Sequence, residues 1–135
     1  MIKFVRPTQR SIRHLSSTIE RRSTTDPRMS GSVTHGNLVY LSGQVPTDFK
    51  APLNDQVIST LEKVDVLLHK AGSDKSNLLS AQIWLKDIDR DFSEMNEIYS
   101  DWLDPANKPV RACVQAPMAN PDILFEIMVV AAKAD

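Results

Sequence analysis

Three residue types near the C-terminus could do chemistry together. Glu126 is the only charge in Ile123-Leu124-Phe125-Glu126-Ile127-Met128-Val129-Val130-Ala131-Ala132, a run that otherwise reads as a buried strand. An ionised carboxylate removed from water is costly unless it is paired or hydrogen-bonded. A candidate partner, Arg111, stands upstream in Pro109-Val110-Arg111-Ala112-Cys113-Val114. A guanidinium forks onto a carboxylate with two parallel hydrogen bonds. A glutamate with a suitable pKa can orient or deprotonate a water. An arginine, a thiol and an acid therefore suggest a small carboxylic acid attacked by water. A buried ion pair that helps fix the fold would use the same arginine and glutamate, so the two residues alone leave both options open.

Whether they meet depends on the strands that carry them. Side chains alternate faces along a strand, so Arg111, Cys113 and Gln115 share one face, and Leu124, Glu126 and Met128 another. If strands 110–116 and 123–132 pair antiparallel about a centre between Ala119 and Asn120, Cys113 lies opposite Glu126 and Arg111 opposite Met128. Arg111 and Glu126 then become diagonal neighbours about 7–8 Å apart, within reach of their long side chains. A one-residue slip breaks the arrangement.

The remaining elements follow from periodicity and turn chemistry. Val33 to Ser42 reads as two strand pieces joined at His35-Gly36-Asn37. Residues 45–54, with Pro46, Pro52 and Asn54, read as a loop. Val57, Leu61, Val64, Leu67 and Leu68 recur at helical spacing, with Asn54 or Asp55 as cap and Gly72 just past the end. Leu79, Ala81, Ile83 and Leu85 alternate with polar or amphipathic residues, which predicts a strand. A second helix is expected over roughly Asp91 to Leu103, with Phe92, Met95, Ile98, Tyr99 and Trp102 on one face and Pro105 and Pro109 beyond its end. The order ββαβαββ gives an α+β fold of two layers, with helices against one face of a mixed sheet.

Length and composition bound the function. With 135 residues, 41% hydrophobic and 24% charged, the chain suits one ordinary globular domain. No apolar run approaches the roughly 20 residues that span a bilayer. A single cysteine allows no internal disulfide framework. Together with His14, His35 and His69 it shows no metal-ligand spacing. Asp87, Asp89 and Asp91 fit a turn and a helix N-terminus better than a metal cluster. Residues 1–19 carry Lys3, Arg6, Arg10 and Arg13 and no acid, so the remainder holds 12 basic and 17 acidic side chains, a net of −5. Such a body has no basic excess to draw phosphates, which disfavours nucleic acid as a partner. Residues 1–17 have the composition of a mitochondrial transit peptide or of an unstructured leader, and the domain proper is expected over 18–135. A cytoplasmic protein, or one of the mitochondrial matrix if the leader is a transit peptide, follows.

Several segments in order resemble the RidA/YjgF family of enamine/imine deaminases. They are Gly36-Asn37-Leu38-Val39-Tyr40-Leu41-Ser42-Gly43-Gln44-Val45-Pro46, Ala71-Gly72, Asp87-Ile88-Asp89-Arg90-Asp91-Phe92 with Met95-Asn96-Glu97-Ile98-Tyr99, and Pro109 to Val114 followed by Glu126. The resemblance covers about Ile19 to Lys133. It implies a chorismate-mutase-like fold, a six-stranded mixed sheet with two helices on one face, and a homotrimer with clefts between subunits. It also implies hydrolysis of 2-imino acids and their enamine tautomers to 2-oxo acids and ammonia, with no metal or organic cofactor. By the same resemblance, Arg111 binds the substrate carboxylate, Glu126 positions the attacking water, and Cys113 lines the pocket. Ser42 and Asn96 shape the cleft, and Tyr99 lies beside it. The family's best-known members carry a Gly-Pro-Tyr turn where this chain has Asp26-Pro27-Arg28-Met29-Ser30. Met29 falls on the tyrosine's position, and Arg28 beside it is placed to offer an extra cation to a larger or dicarboxylic substrate. Cys113 as a nucleophile finds no histidine near it in sequence. The alternative to an enzyme is a non-catalytic trimer that binds small carboxylates, as a regulator or a chaperone; the presence of both Arg111 and Glu126 favours the enzyme.

Overall fold

A computed structural model describes residues 18–135; the basic leader read in residues 1–17 lies outside them. The elements are β1 (Ile19–Ser23), β2 (Ser30–His35), β3 (Leu38–Leu41), α1 (Leu53–Lys70), a 3-10 turn (Lys75–Asn77), β4 (Leu78–Leu85), α2 (Ile88–Trp102), β5 (Val110–Gln115) and β6 (Phe125–Ala132). The six strands form one sheet in the order β1-β2-β3-β6-β4-β5. Only β4 and β5 run parallel, joined by the crossover through α2; every other pair is antiparallel.

Local chemistry explains most of the boundaries. Gly36 takes φ 59° in the β2–β3 turn, and Gly72 takes φ 80° just after α1, both left-handed positions that suit glycine. Helix α1 begins directly after Pro52, with no side-chain cap, so Asn54 and Asp55 lie inside its first turn rather than before it. The Asp87 carboxylate accepts the Arg90 backbone N–H at 3.1 Å and caps α2, so that helix starts at Ile88, ahead of the Asp91 expected from apolar spacing. The sixth strand is β1, absent from the periodicity reading. Its Ile-Glu-Arg-Arg-Ser sequence is almost wholly exposed at the sheet's edge, where no alternation is needed.

The core lies between the two helices and one face of the sheet. Val39, Leu41, Ala81, Ile83, Leu85, Phe125, Ile127 and Val129 point down onto Val57, Leu61, Val64 and Leu68 of α1 and Met95 and Tyr99 of α2. Among the described residues, no element covers the other face. There Tyr40, Met128 and Val114 are 40%, 42% and 46% exposed, and Val110 is 73% exposed.

One sequence expectation is corrected. Strands β5 and β6 run antiparallel to each other but are not neighbours, because β4 lies between them. Cys113 stands beside Ile83, and Glu126 beside Trp84. The physical reason is burial. The alternating apolar residues of β4 need the helices above and a strand on each side, whereas β5 is mostly exposed and suits an edge.

A buried polar side chain fastens the loops around β6. Gln56 is 1% exposed. Its Nε2 lies 3.0 Å from each of the carbonyls of Phe49, Ala51 and Asp122, and its Oε1 accepts the Leu124 backbone N–H at 2.9 Å. Leucine at this position keeps the volume and strands every one of those backbone groups. Gln56→Leu is expected to lower stability by at least about 2 kcal/mol, read as a lower urea midpoint at unchanged slope. A midpoint equal to wild type would show that the loops do not depend on this clamp.

Candidate active site

Arg111 leaves β5 on the helix-bearing face, in register with Ala81. Three residues of one α2 stripe receive it. Its Nη1 donates to Asn96 Oδ1 at 2.7 Å. Its guanidinium carbon lies 5.2 Å from the Tyr99 ring centroid and 5.9 Å from that of Phe92, within cation–π range. Among the described residues no carboxylate forms an ion pair with Arg111. The arginine is therefore oriented by a neutral amide and two rings, and its charge stays available to an anion. In the sequence Phe92 belongs to the apolar face of α2 and to the Asp87–Phe92 motif, with no role assigned to it at a site. Its i, i+4, i+7 spacing with Asn96 and Tyr99 was visible there, but nothing in the sequence placed β5 beside that stripe.

Glu126 sits on the opposite, open face, beside Trp84 and in line with Val114 beyond it. It is partly buried, and burial raises its carboxyl pKa. Gly43 makes room for it: a Cβ there would stand 3.3 Å from Glu126 Oε1 and 3.4 Å from its Cδ. The adjoining loop is tied to β6 by Gln44, whose backbone N–H donates to Ile127 O at 2.8 Å and whose carbonyl accepts from Ile127 N at 3.1 Å. Ser42, one residue before Gly43, directs its hydroxyl to the Ser30 carbonyl and its backbone N–H to Gly31 O at 3.0 Å. Ser42 thus holds the start of β2, and with it Met29, to this loop. Met29 is 48% exposed.

The sequence-derived residues therefore fall into two half-sites. Arg111, Asn96 and Tyr99 gather on one face, joined by Phe92; Glu126 lies on the other with the Ser42–Gly43 loop. The sheet itself separates them, so the diagonal Arg111–Glu126 contact does not form within one chain. Cys113 follows Arg111 on the helix-bearing face, partly buried, and burial raises its thiol pKa against the opposing effect of Arg111. That favours a neutral thiol over a nucleophile. Arg28 is engaged: its Nε and Nη2 donate to the two Asp26 carboxylate oxygens at 3.0 and 2.8 Å, and Asp26 is held at a pKa of about 2 by that arginine. The extra substrate cation expected at Arg28 is thus already paired.

These features define a two-layer α+β domain that carries a bare cation on one sheet face and a desolvated carboxylate on the other. A family profile described as Endoribonuclease L-PSP matches residues 21–133. The RutC family protein YoaB of Escherichia coli is 40% identical over 111 residues, covering 82% of this chain and 96% of that protein. A RutC family protein of Haemophilus influenzae is 39% identical over 105 residues, covering 77% and 90%. The crystal structure of a member of the YjgF protein family from Neisseria meningitidis superposes with a TM-score of 0.83 at 37% identity, covering 88% of this chain and 98% of that one. The chain belongs to the RidA/YjgF family.

Because burial raises the pKa of Glu126, the folded protein binds its proton more tightly than the unfolded chain does. Stability therefore falls as pH rises from the unfolded pKa through the folded one, and the penalty stays constant above it. Glu126→Gln removes the charge. The variant is expected to show a higher urea midpoint than wild type at neutral pH and a matching midpoint in acid. A variant no more stable than wild type at neutral pH would contradict the burial penalty.

Proposed function

We propose that the protein hydrolyses reactive 2-imino acids, with their enamine tautomers, to 2-oxo acids and ammonia in a homotrimer whose active sites lie between subunits. The observation that carries this proposal is the separation of Arg111 and Glu126 onto opposite faces of one sheet. Neither charge has an ionic partner among the described residues. A second copy can bring Glu126 and the Ser42–Gly43 loop of one chain to Arg111, Asn96 and Tyr99 of the next. A ring of three does so three times and buries the apolar open face as it closes.

The chemistry follows from the two halves. Arg111 takes the substrate carboxylate as a bidentate anion, steadied by Asn96 and the Phe92 and Tyr99 rings. Glu126, with its basicity raised by burial, accepts a proton from water as the oxygen adds to the imine carbon. The imine nitrogen is protonated, the carbon–nitrogen bond breaks, and ammonia leaves as the carbonyl forms. One imine and one water become one 2-oxo acid and one ammonia, with no change of oxidation state. The neutral Cys113 thiol lines the pocket near Arg111, and Met29 supplies an apolar wall beside the Ser42 loop. With Arg28 engaged by Asp26, Arg111 is the site's anion-binding group, which suits monocarboxylic substrates. The nuclease named in the family description is disfavoured for this chain by the net of −5 on its body.

The test supplies 2-iminobutanoate from a threonine dehydratase and follows its decay. Wild type is expected to accelerate decay, Arg111→Ala to lose at least about 100-fold in kcat/KM, and Glu126→Gln about 10²–10⁴-fold. Unchanged decay with wild-type protein would overturn the activity. Light scattering is expected to give about three times the 15.1 kDa chain mass. If each site draws Arg111 and Glu126 from different chains, co-refolding equal amounts of the two inactive variants restores about a quarter of wild-type activity. No recovery in mixed trimers would place both groups in one chain and overturn the shared site.

A further inference from the structure

Trp84 has no assigned part so far, and its place is unusual. The β4–β6 register sets it directly across from Glu126, and the β4–β5 register sets it across from Val114. Directly opposed residues share a face, with Cβ atoms about 4.5–5.5 Å apart. Trp84 therefore stands on the open face, between a carboxylate on one strand and an aliphatic side chain on the other. It is partly buried yet absent from the core packed beneath the helices. The other flank of Glu126 is the backbone at Gly43, where even a methyl group would crowd the carboxylate.

We propose that Trp84 is a positioning residue for Glu126: its indole walls the carboxylate from solvent and so sets the pH range in which Glu126 can take a proton from water. The proposal rests on the imine-hydrolysis reading. In the proposed trimer the Arg111 guanidinium of the next chain faces Glu126 and acts to lower its pKa; within one chain the groups around Glu126 leave the opposing, desolvating task to the apolar wall. On β5 the same face carries Val110, Ala112 and Val114. On β6 it carries Met128 and Val130, and on β3 Leu38 and Tyr40, none of which bears a formal charge at neutral pH. At the end of β4, Lys86 sends its ammonium to the Pro121 carbonyl. From the loops, Asp122 is paired with Lys50 at 2.6 Å. From α1, the Lys63 ammonium is held by the Val45 carbonyl at 2.9 Å. Desolvation, the one cause that raises the Glu126 pKa, is what a large ring across the strand pair supplies.

The experiment compares wild type, Trp84→Ala and Trp84→Phe, each checked for folding by circular dichroism and for mass by light scattering. The Glu126 carboxyl is titrated by carbon NMR on ¹³C-labelled protein, assigned with Glu126→Gln, and the acid limb of kcat/KM for 2-iminobutanoate is measured in parallel. The expected result is that both the Glu126 midpoint and the acid limb move to lower pH in Trp84→Ala, with a smaller move in Trp84→Phe. A folded Trp84→Ala protein whose Glu126 titrates as in wild type overturns the proposal, even if its activity falls, because that pattern marks a merely structural tryptophan. Should Trp84→Ala fail to fold, an unshifted midpoint in Trp84→Phe overturns it instead. If wild type does not hydrolyse the imine, the hydrolysis reading fails while the carboxyl titration still decides what Trp84 does to Glu126.

Discussion

Side chains alternate between the two faces of a sheet, and the position of β4 turns that rule into the architecture of the site. Across β5, β4 and β6 the residues stand in two rows. Arg111, Ala81 and Val129 form a row facing the helices, and Val114, Trp84 and Glu126 form a row facing away. A side chain cannot pass through the sheet, so the cation and the acid serve different surfaces. The side chains that receive Arg111 come from α2, and Gly43 in the loop after β3 makes room for Glu126. The same β4 strand also anchors the core through Ala81, Ile83 and Leu85. Folding and site construction therefore depend on one placement.

The separation has an electrostatic consequence. A cation and a carboxylate that met inside one chain would neutralise each other and hold little for a ligand. Here Arg111 is oriented by a neutral oxygen on Asn96 and by two aromatic rings, and Glu126 is confined by Gly43 and its apolar neighbours. Both remain unpaired among the described residues, with Arg111 exposed and Glu126 partly buried, so the desolvation cost falls on the carboxylate. The buried apolar core and the engaged side-chain amide of Gln56 offset that cost. The loops clamped by Gln56 flank the start of β6, so the strand that carries the partly buried acid is held at its entry.

Family membership fixes the scaffold and leaves the activity to be argued from the residues. The names attached to relatives range from RutC proteins to a ribonuclease description. The proposed reading draws on the kind of groups present: one cation free of carboxylate partners among the described residues, one partly buried acid, a neutral thiol, and a net charge of −5 on residues 20–135. Under the proposed hydrolysis, the pairing of Arg28 with Asp26 leaves Arg111 as the anion-binding group of the site.

The sequence by itself determined the local pieces. The Val57, Leu61, Val64, Leu68 stripe made α1 legible, the alternation through Ala81, Ile83 and Leu85 made β4 legible, and Gly36 and Gly72 marked turns that need left-handed backbone. Glu126 stood out because a lone charge in an apolar strand is conspicuous without any structure. Strand β1 was not legible, since an exposed edge strand buries neither face and leaves no periodic signal. The order of strands was not legible either. The connection over residues 116–124 is long enough to make a hairpin or to step across another strand, and both choices keep β5 and β6 antiparallel. Only the packing of β4 under both helices decided between them. That decision moved Arg111 and Glu126 from diagonal neighbours to opposite faces, because adjacency in a sheet is set by nonlocal burial, while the face a residue occupies follows from its place along its own strand.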